Sequence, residues 1–170
     1  MNMCKHSAIP TELDHPLFAH KTEQYFPYEM KYYSGLDEDK FLPWNDPDKS
    51  VKDIMIEWTS AERTLQAQFQ ARRQVSEAEM KKIIAHYLSL LFWTNHQPVQ
   101  LNQLHKKIKL LQITPYNLPD RLDFILNRPF SYQAFKQLQE LMLEQQKHYA
   151  AIKVRGRSKT PSNERNWSVN

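Results

Sequence analysis

Seven histidines, nineteen carboxylates and one cysteine are the obvious candidates for ligand, acid–base or nucleophile chemistry in this 170-residue chain. Cys4 stands near the start of the chain, and nothing in the sequence marks it as a tuned nucleophile. His15 and His20 are five residues apart, the wrong step for one helical face. Glu140, Glu144 and His148 do stack at i, i+4 and i+8, and two such groups can ligate a metal from one face. The same stripe, with Lys136 and Lys147 nearby, also makes ordinary ion pairs on a solvated face, and that reading is adopted. Asp120 and Asp123 flank Arg121 as paired carboxylates would for acid–base work. In the first turns of a short helix they complement the helix dipole instead. His86 falls in an apolar segment and reads as a hydrogen-bonded histidine of the core or its boundary.

The rest of the chemical inventory is set by what is missing. Two glycines, Gly35 and Gly156, cannot build a phosphate-binding loop. The chain has neither an HExxH pattern nor the paired ExxH of di-iron bundles. The expectation is a protein that is not an enzyme, with no catalytic residue, no cofactor and no metal.

Basic side chains are the other candidate binding groups. Lys106, Lys107 and Lys109 form one cluster, and Arg72 and Arg73 close the first long helix. Lys153, Arg155, Arg157, Lys159 and Arg165 decorate the end of the chain, with Trp167 as a stacking ring. Together they offer phosphate contacts to a nucleic acid, although no zinc knuckle, RNP motif or helix-turn-helix accompanies them. Arg121 and Arg128 bracket a short apolar helix and are expected to make bidentate pairs with carboxylates of the amino-terminal arm. Charge is uneven along the chain: residues 1–48 carry net −5, residues 49–152 net +5 and residues 153–170 net +4.

These groups must be positioned by helices. Few glycines disfavour the tight turns of sheet proteins. Residues 50–74 carry Val51, Ile54, Met55, Trp58, Ala61, Leu65 and Phe69 at spacings of three and four, with Ser50 as cap. Residues 76–96 open with the capping-box pair Ser76 and Glu79 and become apolar nearly all round, as befits a central helix. A shorter helix is predicted over 100–112, another over 119–127 capped by Asn117, and a last long one over 131–153 capped by Ser131. Gln145 interrupts the apolar seam of that last helix. Residues 1–48 lack a sustained period and are rich in Pro, Tyr, Phe and Trp. They read as an extended arm, with one short helix near Pro16–Thr22, that buries its rings against the helices.

The stretch ITPYNLPDRLDFILNRPFSYQAFKQLQELMLEQQKHYA carries Pro115, Asn117, Arg121-Leu122, Phe124-Ile125 and Arg128-Pro129, then Tyr132 before a long amphipathic helix. It resembles the YpoC-like family of small proteins from Gram-positive bacteria, over roughly residues 80–152. The resemblance implies a helical domain of unassigned biochemical function and supplies no active-site residues.

The expected fold is all-α: a compact bundle of about five helices over 49–153, an acidic aromatic arm over 1–48 packed on it, and a disordered basic tail over 154–170. Ile54, Trp58, Leu65, Ile84, Leu88, Leu91, Ile125, Phe135, Leu138 and Met142 should fill the core. The lone cysteine and the lack of a signal-like apolar start suit the cytoplasm, and no apolar run is long enough for a membrane span. The leading functional expectation is a noncatalytic interaction or accessory protein with a protein partner. The alternative is a nucleic-acid-associated accessory protein using the basic helix faces and tail.

Overall fold

In the computed structural model the longest early helix starts where proline permits. Pro47 occupies the first turn of α3 (Pro47–Gln70), where its missing N–H is no loss, and Asp46 accepts from the Lys49 amide at 3.4 Å. Ser50, the expected cap, is instead buried one turn inside. Its hydroxyl donates to the carbonyls of Pro43 at 2.9 Å and Asp46 at 3.0 Å, tying the helix to the turn before it. The structure describes residues 8–36 and 41–157.

α3 buries Ile54, Trp58, Ala61 and Leu65 against α4 (Glu77–Thr94). Ser76 caps α4 by accepting from the Glu79 amide at 3.2 Å, but only this half of the expected capping box forms, because the Ser76 amide donates to Gln68 Oε1 at 3.0 Å. From Met80 onward almost every side chain of α4 is buried, because α3 packs on one side and α7 (Tyr132–Arg157) on another. Ser131 caps α7 through the Ala134 amide at 3.1 Å. α6 (Leu118–Asn127) packs on α7 and stops before Pro129. Asn117 does stand at its N-cap, but in the left-handed region (φ 52°) and without a side-chain cap bond. All ten residues expected in the core are buried.

α3 ends in a hydrogen-bonded reversal. The Arg73 amide donates to Gln68 O at 3.1 Å and the Arg72 amide to Phe69 O at 3.2 Å, with Arg72 left-handed at φ 52°. Glycine is the residue this position favours, and Arg72 is exposed. Arg72→Gly should therefore stabilise the fold by about 0.5–1 kcal/mol, raising the thermal midpoint by roughly 1–4 °C. A melt of the two proteins at one pH checks this. α4 closes in the same way at His96 (φ 58°), whose ring also bonds to Trp44 O at 3.1 Å.

Two expectations about the connections need correction. The helix expected over 100–112 is confined to α5 (Leu104–Ile108). Gln103 is left-handed, and the Leu101 and Asn102 amides donate to Glu12 O at 2.7 and 3.1 Å rather than to a helical ladder. The arm is likewise not extended. It runs through turns of 3₁₀ helix at Thr11–Leu13, Pro16–Phe18 and Pro43–Asn45, and through two helices, α1 (Thr22–Tyr25) and α2 (Pro27–Tyr33). Pro16, Pro27 and Pro43 each sit in a first turn, so the residues that discourage one long helix start several short ones. The described residues thus form seven α-helices and no strand.

The arm buries some of its rings, Phe18, Phe26 and Trp44, while Tyr28 and Tyr32 stay exposed. Leu13, Phe18, Phe26, Met30 and Trp44 join the core, with Phe18 edge-on to Phe26 at 5.0 Å. At about 2 kcal/mol per buried side chain, their gross contribution is on the order of 10 kcal/mol, which favours a docked arm over a free one. Tyr33 adds a bond from its hydroxyl to Val99 O at 3.0 Å.

Candidate functional site, an acidic aromatic cleft

Where the arm crosses the α3–α4 pair it leaves a cleft of about 250 Å³. α4 supplies His86, Ser89 and Trp93, at i, i+3 and i+7 on one face. α3 supplies Ser50, Asp53, Ile54 and Glu57 at matching steps. The arm contributes Tyr25, Tyr28 and Glu29, with Phe41 at the edge. Tyr28 stands edge-on to Trp93 at 5.9 Å and to Phe41 at 6.4 Å, and it remains 43% exposed.

Glu29 is wholly buried. Its Oε1 accepts from the Trp93 indole N–H at 2.6 Å and from the Val99 amide at 3.4 Å, while Oε2 has no partner among the described residues. Burial pushes the carboxyl up from 4.5 to about 7, against the opposing pull of those hydrogen bonds. His86 bonds through Nε2 to Glu57 Oε2 at 3.0 Å, and its Nδ1 is buried without a partner among the described residues. Desolvation lowers the imidazole below its usual 6.5, with Glu57 pulling the other way, so the ring is largely neutral at pH 7. Glu57 thus engages Nε2, while Nδ1 is left unpartnered among the described residues.

The histidine and carboxylates of this cleft lie far apart in sequence, and Glu29 and Glu57 carry no motif. The one available signal is the polar and aromatic set His86, Ser89 and Trp93 on a single face of a helix otherwise apolar all round.

The basic residues singled out from sequence do not gather into one face. Lys106 and Lys109 are exposed and Lys107 half-buried on and beside α5, which follows the carboxy-terminal end of α4. Arg72 and Arg73 lie at the other end of α4, in its connection from α3. The expected disordered tail does not begin at 154, because α7 continues through Arg155 to Arg157; Lys159, with the rest of that expected tail from residue 158, is outside the described residues. Cys4 also falls outside them.

Arg121 is an ion-pair residue, but its partners are on α7 rather than on the arm. It reaches Glu144 at 3.0 Å and Glu140 at 3.5 Å, and donates to Gln137 Oε1 at 3.0 Å. α6 packs against α7, and among the described residues no arm carboxylate pairs with Arg121. Arg128 is exposed and enters no ion pair among the described residues. His148 Nδ1 is engaged with Thr114 O at 3.0 Å, so the Glu140–Glu144–His148 stripe is used in holding α6 and its lead-in to α7. Among the described residues no group of His, Cys, Asp and Glu could hold a metal ion. Asp120 lies in the first turn of α6, and Asp123 pairs with His105 at 3.1 Å.

The described residues define a small all-helical fold organised around one buried central helix, with a recess under its amino-terminal arm. The profile of the YpoC-like protein family matches residues 48–157, which span α3 to α7. The uncharacterized protein YpoC of Bacillus subtilis (strain 168) is 34% identical over 131 residues, 76% of this chain and 79% of that relative. The chain belongs to the YpoC-like family. No solved structure matches it. The floor of the cleft, from α3 and α4, lies inside the family match, and its roof on the arm precedes it. No helix among the described residues is long and apolar enough to cross a membrane.

Proposed function

We propose that this chain is a noncatalytic interaction protein of the cytoplasm, an accessory subunit or adaptor that binds a protein partner through the cleft. The observation that carries this reading is the wall of rings. Tyr25, Tyr28, Phe41 and Trp93 surround a concave recess, and Tyr28 is exposed at its mouth although burying it would be favourable. Aromatic anchors in pockets are where binding energy concentrates at protein interfaces.

Tyr28→Ala should abolish co-purification of any partner specific to this site, because loss of a ring anchor costs about 2 kcal/mol or more in binding. Quantitative mass spectrometry of affinity-purified wild type, Tyr28→Ala and Leu143→Ala, the last an exposed apolar residue of α7, checks this. A specific partner kept by Leu143→Ala and lost by Tyr28→Ala is expected. Identical partner sets for all three would refute the reading.

A second reading, nucleic-acid association, is favoured by α5 and the segment between it and α6. Lys106 and Lys109 are exposed there, and Tyr116, ahead of α6, is 86% exposed and able to stack on a base. Fluorescence polarisation against labelled single-stranded RNA and DNA at about 50 mM salt decides it, and absence of binding there would remove it.

A further inference from the structure

If the cleft is the partner-binding site, its polar groups restrict what it can hold. Glu29 lines the recess wholly buried, with Oε2 unpartnered among the described residues. Asp53 and Glu57, one turn apart on α3, are exposed at the rim. The other ionisable group beside them is His86, kept largely neutral by its burial. Two exposed carboxylates, a buried third that burial leaves partly protonated at neutral pH, and aromatic walls, with no Lys or Arg among the described lining residues, favour a cation.

We propose that the cleft receives a lysine side chain from a partner protein, its ammonium held among Asp53, Glu57 and Glu29 and its stem laid against Tyr28 and Trp93. This rests on the interaction reading of the same cleft. Size sets the first limit. About 250 Å³ holds one long side chain, whereas a helix roughly 10 Å across does not enter. Hydrogen bonding sets the second. Glu29 has given Oε1 to Trp93 and Val99, and Glu57 has given Oε2 to His86, so each offers one oxygen. A compact ammonium can use single oxygens converging on it, whereas a guanidinium favours both oxygens of one carboxylate. The rings suit the stem and the charge alike. Lys49 Nζ already stands 4.5 Å from the centroid of the Phe41 ring, so one wall of the cleft holds an ammonium in the free protein.

A second hollow of about 200 Å³ shares Gln24, Tyr25, Glu57 and His86 with the cleft and adds Glu79 and Lys82. It gives the residues flanking an inserted lysine somewhere to lie, which a free amine does not need. That continuity favours a protein source.

The test is a titration of the full-length, ¹⁵N-labelled chain with the peptide acetyl-Ala-Lys-Ala-amide, followed at the tryptophan indole N–H signals. Trp93 reports on the cleft, and buried Trp58, outside its lining, serves as control. The expected result is a saturable shift of Trp93 at millimolar peptide with Trp58 unmoved, and at least tenfold weaker binding when norleucine replaces lysine. Asp53→Asn should weaken the lysine peptide about threefold and Tyr28→Leu about fivefold. Both residues are exposed, and an unchanged Trp58 signal shows that each variant is folded. Equal binding of the norleucine peptide, or no Trp93 shift by about 20 mM peptide, would overturn the proposal. Tighter saturation by spermidine than by the peptide would overturn it in favour of a free amine. A partner that depends on Tyr28 but a cleft that ignores the lysine peptide would keep the interaction reading and sink only the lysine.

Discussion

Glu29→Gln should make the protein more stable at pH 8 by about 1–2 kcal/mol and change it much less at pH 5. The reason is the direction of the Glu29 shift, from 4.5 in an ordinary setting to about 7 in the folded chain, caused first by burial. A carboxyl whose folded pKa is raised holds its proton more tightly when folded. Below pH 4.5 both states are protonated and the group contributes nothing. Between pH 4.5 and about 7 the unfolded chain ionises first, so stability is lost as pH rises. Above about 7 both states are charged and the loss is complete. The shift sets that loss at about 3 kcal/mol. Glutamine does not titrate, keeps an oxygen for the Trp93 and Val99 donors, and loses part of the gain because its amide meets the unpartnered Oε2 position.

Two histidines titrate nearby with the opposite sign. Burial lowers both His15 and His86, so their contribution is present above pH 6.5 and lost as pH falls. In the wild type the two effects oppose each other. In Glu29→Gln only the histidine effect remains, and urea midpoints should rise from about pH 5 to about pH 7 more steeply than in the wild type. Parallel midpoint curves for the two proteins would mean that Glu29 does not titrate in this window.

The second large effect is expected at Asn95, the C-cap of α4. Its Oδ1 accepts from the Gln112 amide at 3.0 Å and the Ile113 amide at 2.8 Å, and its Nδ2 donates to Leu91 O and Ile113 O, both at 2.8 Å. One side chain thus fixes the segment leading into α6. Asn95→Ala removes all four bonds; Ile113 O keeps Gln145 and Leu91 O keeps Thr94, but the Gln112 and Ile113 amides are left unpaired, a cost of about 2–3 kcal/mol. The thermal midpoint should drop by roughly 5–10 °C. Hydrogen exchange should show the Gln112 and Ile113 amides losing protection while Leu88 and Leu91 in α4 keep theirs. Uniform loss across α4 would mean that the residue acts globally, not at this junction.

Asn95 also bears on how far the sequence can be read. The helices are legible because periodicity and caps agree: Ser76 with Glu79, Ser131, and the stripes of α3 and α4 all stand as local chemistry dictates. Gln145 reads as an interruption of a seam because its partners are distant. Its Nε2 donates to Thr94 at 2.8 Å and to Ile113 O at 2.9 Å. The arm reads as extended, and is not, because a proline that ends one helix starts another equally well. α5 is shorter than its apolar period suggests because the Leu101 and Asn102 amides answer to Glu12, about 90 residues earlier. The cleft is hidden for the same reason. Glu29 meets Trp93 and Val99 across 64 and 70 residues, and Glu57 meets His86 across 29. A period of three or four carries no information about such pairings. His86 is legible as a hydrogen-bonded histidine at the core boundary, but only the fold names its partner.

Occupation of the cleft by a protein partner is the central claim. The most direct measurement replaces Tyr28 with photo-reactive p-benzoylphenylalanine in the full chain, irradiates living cells of the native host, and identifies the adducts. The same replacement at Leu143 is the control. A discrete adduct with one protein from position 28, absent from position 143 and diminished by Asp53→Asn, is the predicted result. No adduct from position 28, or the same adducts from both positions, would contradict the cleft as a binding site.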